Sequence, residues 1–241
     1  MTDIVVKATS DDVGLRRESS VDAVGVPAWL ARLHQSLPAG VQLRLSVEGD
    51  LPLPREVLFE GAGFREQGSN FVREATLPDV VGPNMRAVVC GLNPSLHAAE
   101  AGVGFVSPSN RFWPAAIAAG VVTNDRKPFD ALLEHGIGFT DLVKRATTRA
   151  DEVTKAEFAA GYSRVERLVG WLRPERLVMV GVTGWRAATG DTSAKAGWLA
   201  TSIGDTPVYL MPNPSGLNAH ATLETLTDHL RTALGPVPAS A

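Results

Sequence analysis

Apolar positions recur along this chain in short two-residue and 3.6-residue rhythms, and the order of those rhythms changes near residue 75. Residues 1–22 are mostly polar and weakly periodic, which predicts a mobile or loosely packed segment. An amphipathic helix is expected over 26–37, ending at Leu37-Pro38. Val41, Leu43, Leu45 and Val47 then alternate with polar residues, a strand signal. A helix over 53–60 is closed by Gly61 and Gly63, and 64–66 and 71–75 flank Gly68-Ser69-Asn70 as a hairpin. Together, residues 1–75 read as a small α+β appendage.

From residue 76 the pattern becomes strands alternating with longer helices. Strands are expected over 86–92, 176–182, 201–204 and 207–211, the last two paired across Gly204-Asp205. Helices are expected over 110–119, 127–135, 154–172 and 223–234. The first is capped by Asn110 and places Phe112 and Trp113 in the core. The long third one carries Phe158, Tyr162, Val165, Leu168 and Val169 on one stripe. Because 176–182 is continuously apolar, it belongs in the middle of a sheet covered on both faces. The alternation predicts an α/β domain over 76–241: a three-layer α/β/α sandwich with a mostly parallel central sheet. A crevice is expected at the strand carboxyl ends.

Composition narrows the function classes. With 241 residues, 44% hydrophobic and 20% charged, the chain has material for a full globular core. The formal net charge is −3, so contact with an anionic polymer must come from a local face rather than from overall charge. The single cysteine, Cys90, excludes an internal disulfide and a four-cysteine cluster, and its apolar surroundings predict a buried thiol. No apolar run approaches a membrane span and the amino terminus carries no signal-peptide pattern, so a soluble cytoplasmic protein is expected, and it is read as a monomer.

The chemistry concentrates where strands give way to loops. The apolar strand ending in Val88-Val89-Cys90-Gly91 runs into Leu92-Asn93-Pro94-Ser95-Leu96. Further on come Gly104-Phe105, then Ser109-Asn110-Arg111-Phe112-Trp113, and finally Asn213-Pro214-Ser215-Gly216-Leu217. An isolated Asn-Pro is ordinarily a turn satisfied by its own backbone. Two strand exits of this type instead suggest one crevice assembled from distant segments.

These motifs, with Gly138-Phe139-Thr140-Asp141-Leu142-Val143 between them, resemble the mismatch-specific uracil-DNA glycosylase and thymine-DNA glycosylase family of the uracil-DNA glycosylase superfamily. The resemblance runs from about Thr76 to about Gly235. It implies excision of uracil, and of thymine or other 5-substituted pyrimidines, from mispaired double-stranded DNA. It also implies that Asn93 positions a water. Leu92, Ser95, Ala98, Phe105 and Asn213 would form the base pocket, with Phe105 stacking on the flipped base and Ala98 leaving room at its 5-position. Ser215, Gly216, Leu217 and Asn218 would form the DNA wedge, with Leu217 as the plug. Neither metal nor organic cofactor is implied. Ser95 stands where the family usually has glycine, and Asn218-Ala219-His220 stands where relatives often have an arginine. A phosphate-binding rim of Lys144, Arg145 and Arg149, with Arg111 nearby, is a further expectation. The rival readings are a non-catalytic lesion-binding module and a small-molecule enzyme, although neither a carboxylate cluster nor a Gly-rich cofactor loop supports the latter.

Overall fold

The computed structural model of the protein describes residues 4–234; residues 1–3 and 235–241, the end of the expected catalytic unit among them, lie outside the description. The amino-terminal part contains β1 (Ile4–Ser10), β2 (Leu15–Val21), α1 (Val26–Gln35), β3 (Gln42–Glu48), α2 (Arg55–Gly61), β4 (Phe64–Gln67) and β5 (Asn70–Arg73). Its sheet is antiparallel in the order β2-β1-β3-β5-β4. Residues 4–21 are therefore not loosely packed, as their polarity suggested. Ile4, Val6, Ala8 and Ser10 alternate inward and are buried, while the polar side chains between them face out. That period-two signal was legible in the sequence but is diluted by Lys7, Thr9 and the charged strand β2.

The second part contains β6 (Ala87–Gly91), α3 (Leu96–Ala101), α4 (Phe112–Ala118), α5 (Pro128–His135), β7 (Ile137–Asp141), α6 (Lys155–Leu172), β8 (Leu177–Val180), α7 (Val182–Thr189), β9 (Gly197–Ile203), β10 (Thr206–Met211) and α8 (Leu223–Leu234). Its sheet has the order β7-β6-β8-β10-β9. β7, β6, β8 and β10 run parallel, and β9 is antiparallel at one edge. The chain thus has an α/β fold with two sheets of different character.

Both faces of the central strands are buried, which explains their continuous apolar runs. Val88 and Cys90 of β6, with Leu177 and Met179 of β8, pack with α6 residues Val165 and Leu168. Ala87, Val89, Val178 and Val180 point the other way, toward Trp113 of α4 and Leu226 and Leu230 of α8. Cys90 is fully buried, and burial pushes its thiol well above the usual range. α6 begins with a capping box in which Thr154 and Glu157 satisfy one another's backbone donors.

Besides β1 and β2, three elements of the second part were not anticipated as elements. β7 is short and starts Ile-Gly, so its glycine obscured the apolar run. α3 has only six residues, too few to show a period, and α7 follows β8 after one residue, Gly181 at φ 101°. The pair of strands at the end is longer on one side than expected, since β9 begins at Gly197.

One hydrophobic cluster crosses the division near residue 75, running from Ile4, Leu30, Phe59 and Phe71 to Val80, Met85, Leu142 and Leu168. Polar links follow the same seam. Asp79 N donates to Gly61 O at 2.7 Å, Gln35 Nε2 to Gly102 O at 3.0 Å, and Thr76 Oγ1 to Lys144 O.

Candidate active site

The carboxyl ends of the parallel strands open into a crevice of about 190 Å³. Leu92, Asn93, Ser95, Ala98, Phe105 and Asn213, which sequence reasoning had grouped, all line it. Ser215 reaches its edge. Gly216, Leu217 and Asn218 are not in the lining; they form the outer part of the loop after β10.

Asn93 sits in the turn between β6 and α3, and a second loop holds it there. Its Nδ2 lies 2.7 Å from Thr147 Oγ1, 3.1 Å from Arg145 O and 3.2 Å from Pro94 O. The two carbonyls can only accept, and Thr147 Oγ1 spends its own proton on Arg149 O at 2.8 Å. All three partners therefore require the amide nitrogen, which fixes the flip of the side chain and leaves Oδ1 as the free acceptor. The turn is stitched to the same loop by Thr147 N to Pro94 O at 3.1 Å and Leu96 N to Thr147 O at 3.2 Å.

Ser95 does more locally than shape the pocket. It is the N-cap of α3, and its hydroxyl accepts from Ala98 N at 3.1 Å. Ala98, on the first turn of that helix, is buried. The Leu92 side chain also packs onto α7, where a Cβ on Gly184 would lie 2.0 Å from its Cδ2.

Phe105 is half-buried with φ 57°, a backbone region uncommon for an aromatic residue. Its ring stacks on Phe112 at 4.4 Å between centroids and 25° between planes, so it is supported from behind as well as lining the crevice. Asn110 lies one residue ahead of the cap expected of it. Arg111 is the N-cap of α4 and its side chain makes no cap bond, while Asn110 Oδ1 accepts from Phe112 N at 3.0 Å in the turn before the helix. Phe112 and Trp113 are buried, as the core pattern required.

The residue that sequence reasoning quoted but did not place in the site is Asp141, at the end of β7 opposite Gly91. A Cβ on Gly91 would meet Asp141 Oδ1 at 2.2 Å and Phe105 Cζ at 3.5 Å. Only glycine lets this carboxyl lie so close against the end of β6. Asp141 is the one titratable side chain in the crevice lining, and among the described residues no hydrogen bond reaches its carboxyl. Burial pushes its pKa up to about 6 against the pull of Lys144; Asp79 adds to the rise and Arg164 opposes it. A polar residue closing an apolar strand at a crevice was the available signal.

Beneath Asp141 lies a buried ionic cluster. Asp79 accepts from Lys144 Nζ at 2.9 Å, Arg164 Nη1 at 2.6 Å and Thr140 Oγ1 at 2.6 Å. Arg164 Nη2 also donates to Asp141 O at 2.5 Å. Burial raises the Asp79 pKa, but Arg164 and Lys144 outweigh it and hold the carboxyl below its usual range. The expected basic rim is corrected accordingly: Lys144 is buried in this cluster and cannot meet a phosphate. Arg145 is paired with Glu157 at 2.6 Å and Arg149 with Asp151 at 2.7 Å.

The loop after β10 is a braced hoop. Asn213 Oδ1 accepts from Ser215 N at 3.0 Å, Ser215 O from Asn218 N at 2.9 Å, and Asn213 O from Asn218 Nδ2 at 2.9 Å. At its tip the Leu217 side chain is 97% exposed, the largest exposure among the big apolar residues described. Sequence comparison agrees with this geometry. A model of the Uracil DNA glycosylase superfamily matches residues 78–234, roughly two thirds of the chain, and that span contains every site residue named above. The chain belongs to the Uracil DNA glycosylase superfamily, and a DNA glycosylase role in base-excision repair, with DNA as substrate, comes with that membership.

Proposed function

We propose that this chain is a monofunctional glycosylase that flips uracil, and thymine or other 5-substituted pyrimidines, out of mispaired double-stranded DNA and hydrolyses the N-glycosidic bond. The observation that carries the reading is Asn93, whose nitrogen is held by three acceptors so that Oδ1 can fix a water in the crevice. An amide is not basic, so Asn93 orients the water rather than deprotonating it. The glycosidic C–N bond breaks with oxocarbenium character on the sugar, the base departs with the bonding pair, the water adds to C1′, and the proton that the water then sheds passes through solvent to the departing base anion. Products are the free base and an abasic site.

The remaining lining serves that step. Phe105, supported by Phe112, offers a ring for a flipped base to stack on. Ala98 leaves space beside the 5-position, which extends the substrate range beyond uracil. Leu217 fills the gap left in the duplex, offsetting the few kcal/mol lost on unstacking. The second sheet, with helices on both faces and the site at its parallel strand ends, fits a three-layer α/β/α sandwich with its ligand in the carboxyl-end crevice.

The test uses labelled duplexes carrying uracil, thymine or hypoxanthine opposite guanine, followed by alkaline cleavage of abasic sites. Cleaved strand from the uracil duplex, with slower product from thymine, is the expected result. Tight binding to those duplexes with no cleavable product would replace the enzyme with a non-catalytic lesion-binding module.

A further inference from the structure

Arg111 stands between the base crevice and the exposed hoop at 213–218. Its Nη2 donates to Ser215 O at 2.9 Å and to Asn218 O at 3.0 Å, and its backbone nitrogen donates to Pro214 O at 3.0 Å. Among the described residues no carboxylate pairs with it, and its buried Nε has no acceptor. A half-buried guanidinium satisfied only by carbonyls of one loop is desolvated at some cost, which rules out a merely solvated surface charge. The two segments also touch directly. A Cβ on Gly216 would lie 2.5 Å from Ser109 Cβ and 2.6 Å from Ser109 Oγ. Gly216 is not in a positive-φ conformation, so close approach alone requires glycine there.

The hoop does not need Arg111 in order to exist. Asn213, Ser215 and Asn218 already close it with their own hydrogen bonds. What Arg111 adds is placement relative to 105–111, the segment that carries Phe105 and whose Asn110 N donates to Ser107 O at 2.8 Å.

We propose that Arg111 is a positioning residue that locks the Leu217 hoop to the Phe105 segment, so that base capture and filling of the duplex gap occur as one coupled movement. The proposal rests on the glycosylase reading. It assigns Arg111 a duplex-specific effect, because a single strand has no gap to fill. It also makes the contribution of Arg111 pass through Leu217.

Single-turnover uracil excision should be measured on duplex and single-stranded substrates for wild type, Arg111→Ala, Leu217→Ala and the double variant. We expect Arg111→Ala to lower the duplex-to-single-strand rate ratio by about tenfold or more. In the Leu217→Ala background it should change the ratio by less than about twofold, since coupled residues are not additive. Gly216→Ala, which forces the two segments apart without removing a charge, should lower the ratio in the same direction, and it replaces Arg111→Ala if that variant does not fold. Equal losses on both substrates, or additive losses in the double variant, would overturn the coupling while leaving the glycosylase reading intact. If wild type releases no base, the glycosylase reading fails by itself. The same ratio is then read from affinity for a duplex containing a tetrahydrofuran abasic analogue relative to the single strand, and an Arg111→Ala ratio equal to wild type would sink the proposal there too.

Discussion

Asn93 and Asp141 make opposite demands on their surroundings. Asn93 is neutral, and its orientation is fixed by acceptors. Removing it should cost water placement and little else, so Asn93→Ala is expected to slow single-turnover uracil excision by at least about tenfold while binding to abasic product stays near wild type. Wild-type rates in the variant would remove Asn93 from the mechanism. Asp141 is charged or neutral according to pH, with a midpoint raised to about 6 by burial. A base that leaves with the bonding pair is anionic, so a carboxylate beside it is repulsive while the neutral acid can donate a hydrogen bond. The acid is neutral below its midpoint and ionised above it, and a bound base that excludes water moves the midpoint upward. Excision should therefore fall as pH rises through and above about 6. Asp141→Asn, neutral at every pH, should flatten that limb; a pH profile in the variant that keeps the same limb would assign it to another group.

At the scale of elements, the loop 145–149 supports the β6-α3 turn. Thr147 is central, since its hydroxyl accepts from Asn93 Nδ2 and donates to Arg149 O. Thr147→Val keeps the shape and the backbone bonds to Pro94 and Leu96 but removes that acceptor. A loss of about three- to tenfold in excision, with an unchanged melting temperature, is expected from freeing one of three anchors. An unaffected rate would mean that the two carbonyls suffice. This support is also where the sequence was least informative. Asn93, Phe105 and Leu217 were legible because each lies in a short motif with Gly or Pro punctuation. Two of the three partners of Asn93 lie more than 50 residues away, and Arg145 O is a backbone atom that no side-chain pattern reveals. Lys144 reads as a surface charge beside Arg145, and only the fold places Asp79 and Arg164 against it. Most helices and strands with several turns or a clear alternation were visible in the sequence, β1 and α7 excepted, whereas α3 and β7 are too short to establish a period.

For the whole molecule, the division near residue 75 is clearer in sequence than in packing. The sheets are separate and all the site residues lie in the second part. The cores are not separate, because Phe59, Leu58 and Leu30 belong to the same cluster as Val80, Leu142 and Leu168. The ionic cluster reaches the seam as well. A Cβ on Gly61, the last residue of α2, would lie 2.4 Å from Asp79 Oδ2 and 3.1 Å from Arg164 Nη1. Residues 1–75 thus help exclude water from Asp79, and breaking a buried pair of this kind costs about 3–5 kcal/mol. That is a large share of the 5–15 kcal/mol or so by which a folded domain is stable. The amino-terminal part and the glycosylase part are therefore expected to unfold together. Calorimetry on the full chain should show one cooperative transition, and a chain begun at Thr76 should melt at lower temperature and with reduced cooperativity. Two resolved transitions, the upper one unchanged when residues 1–75 are removed, would instead establish an independent appendage attached to a self-sufficient catalytic domain.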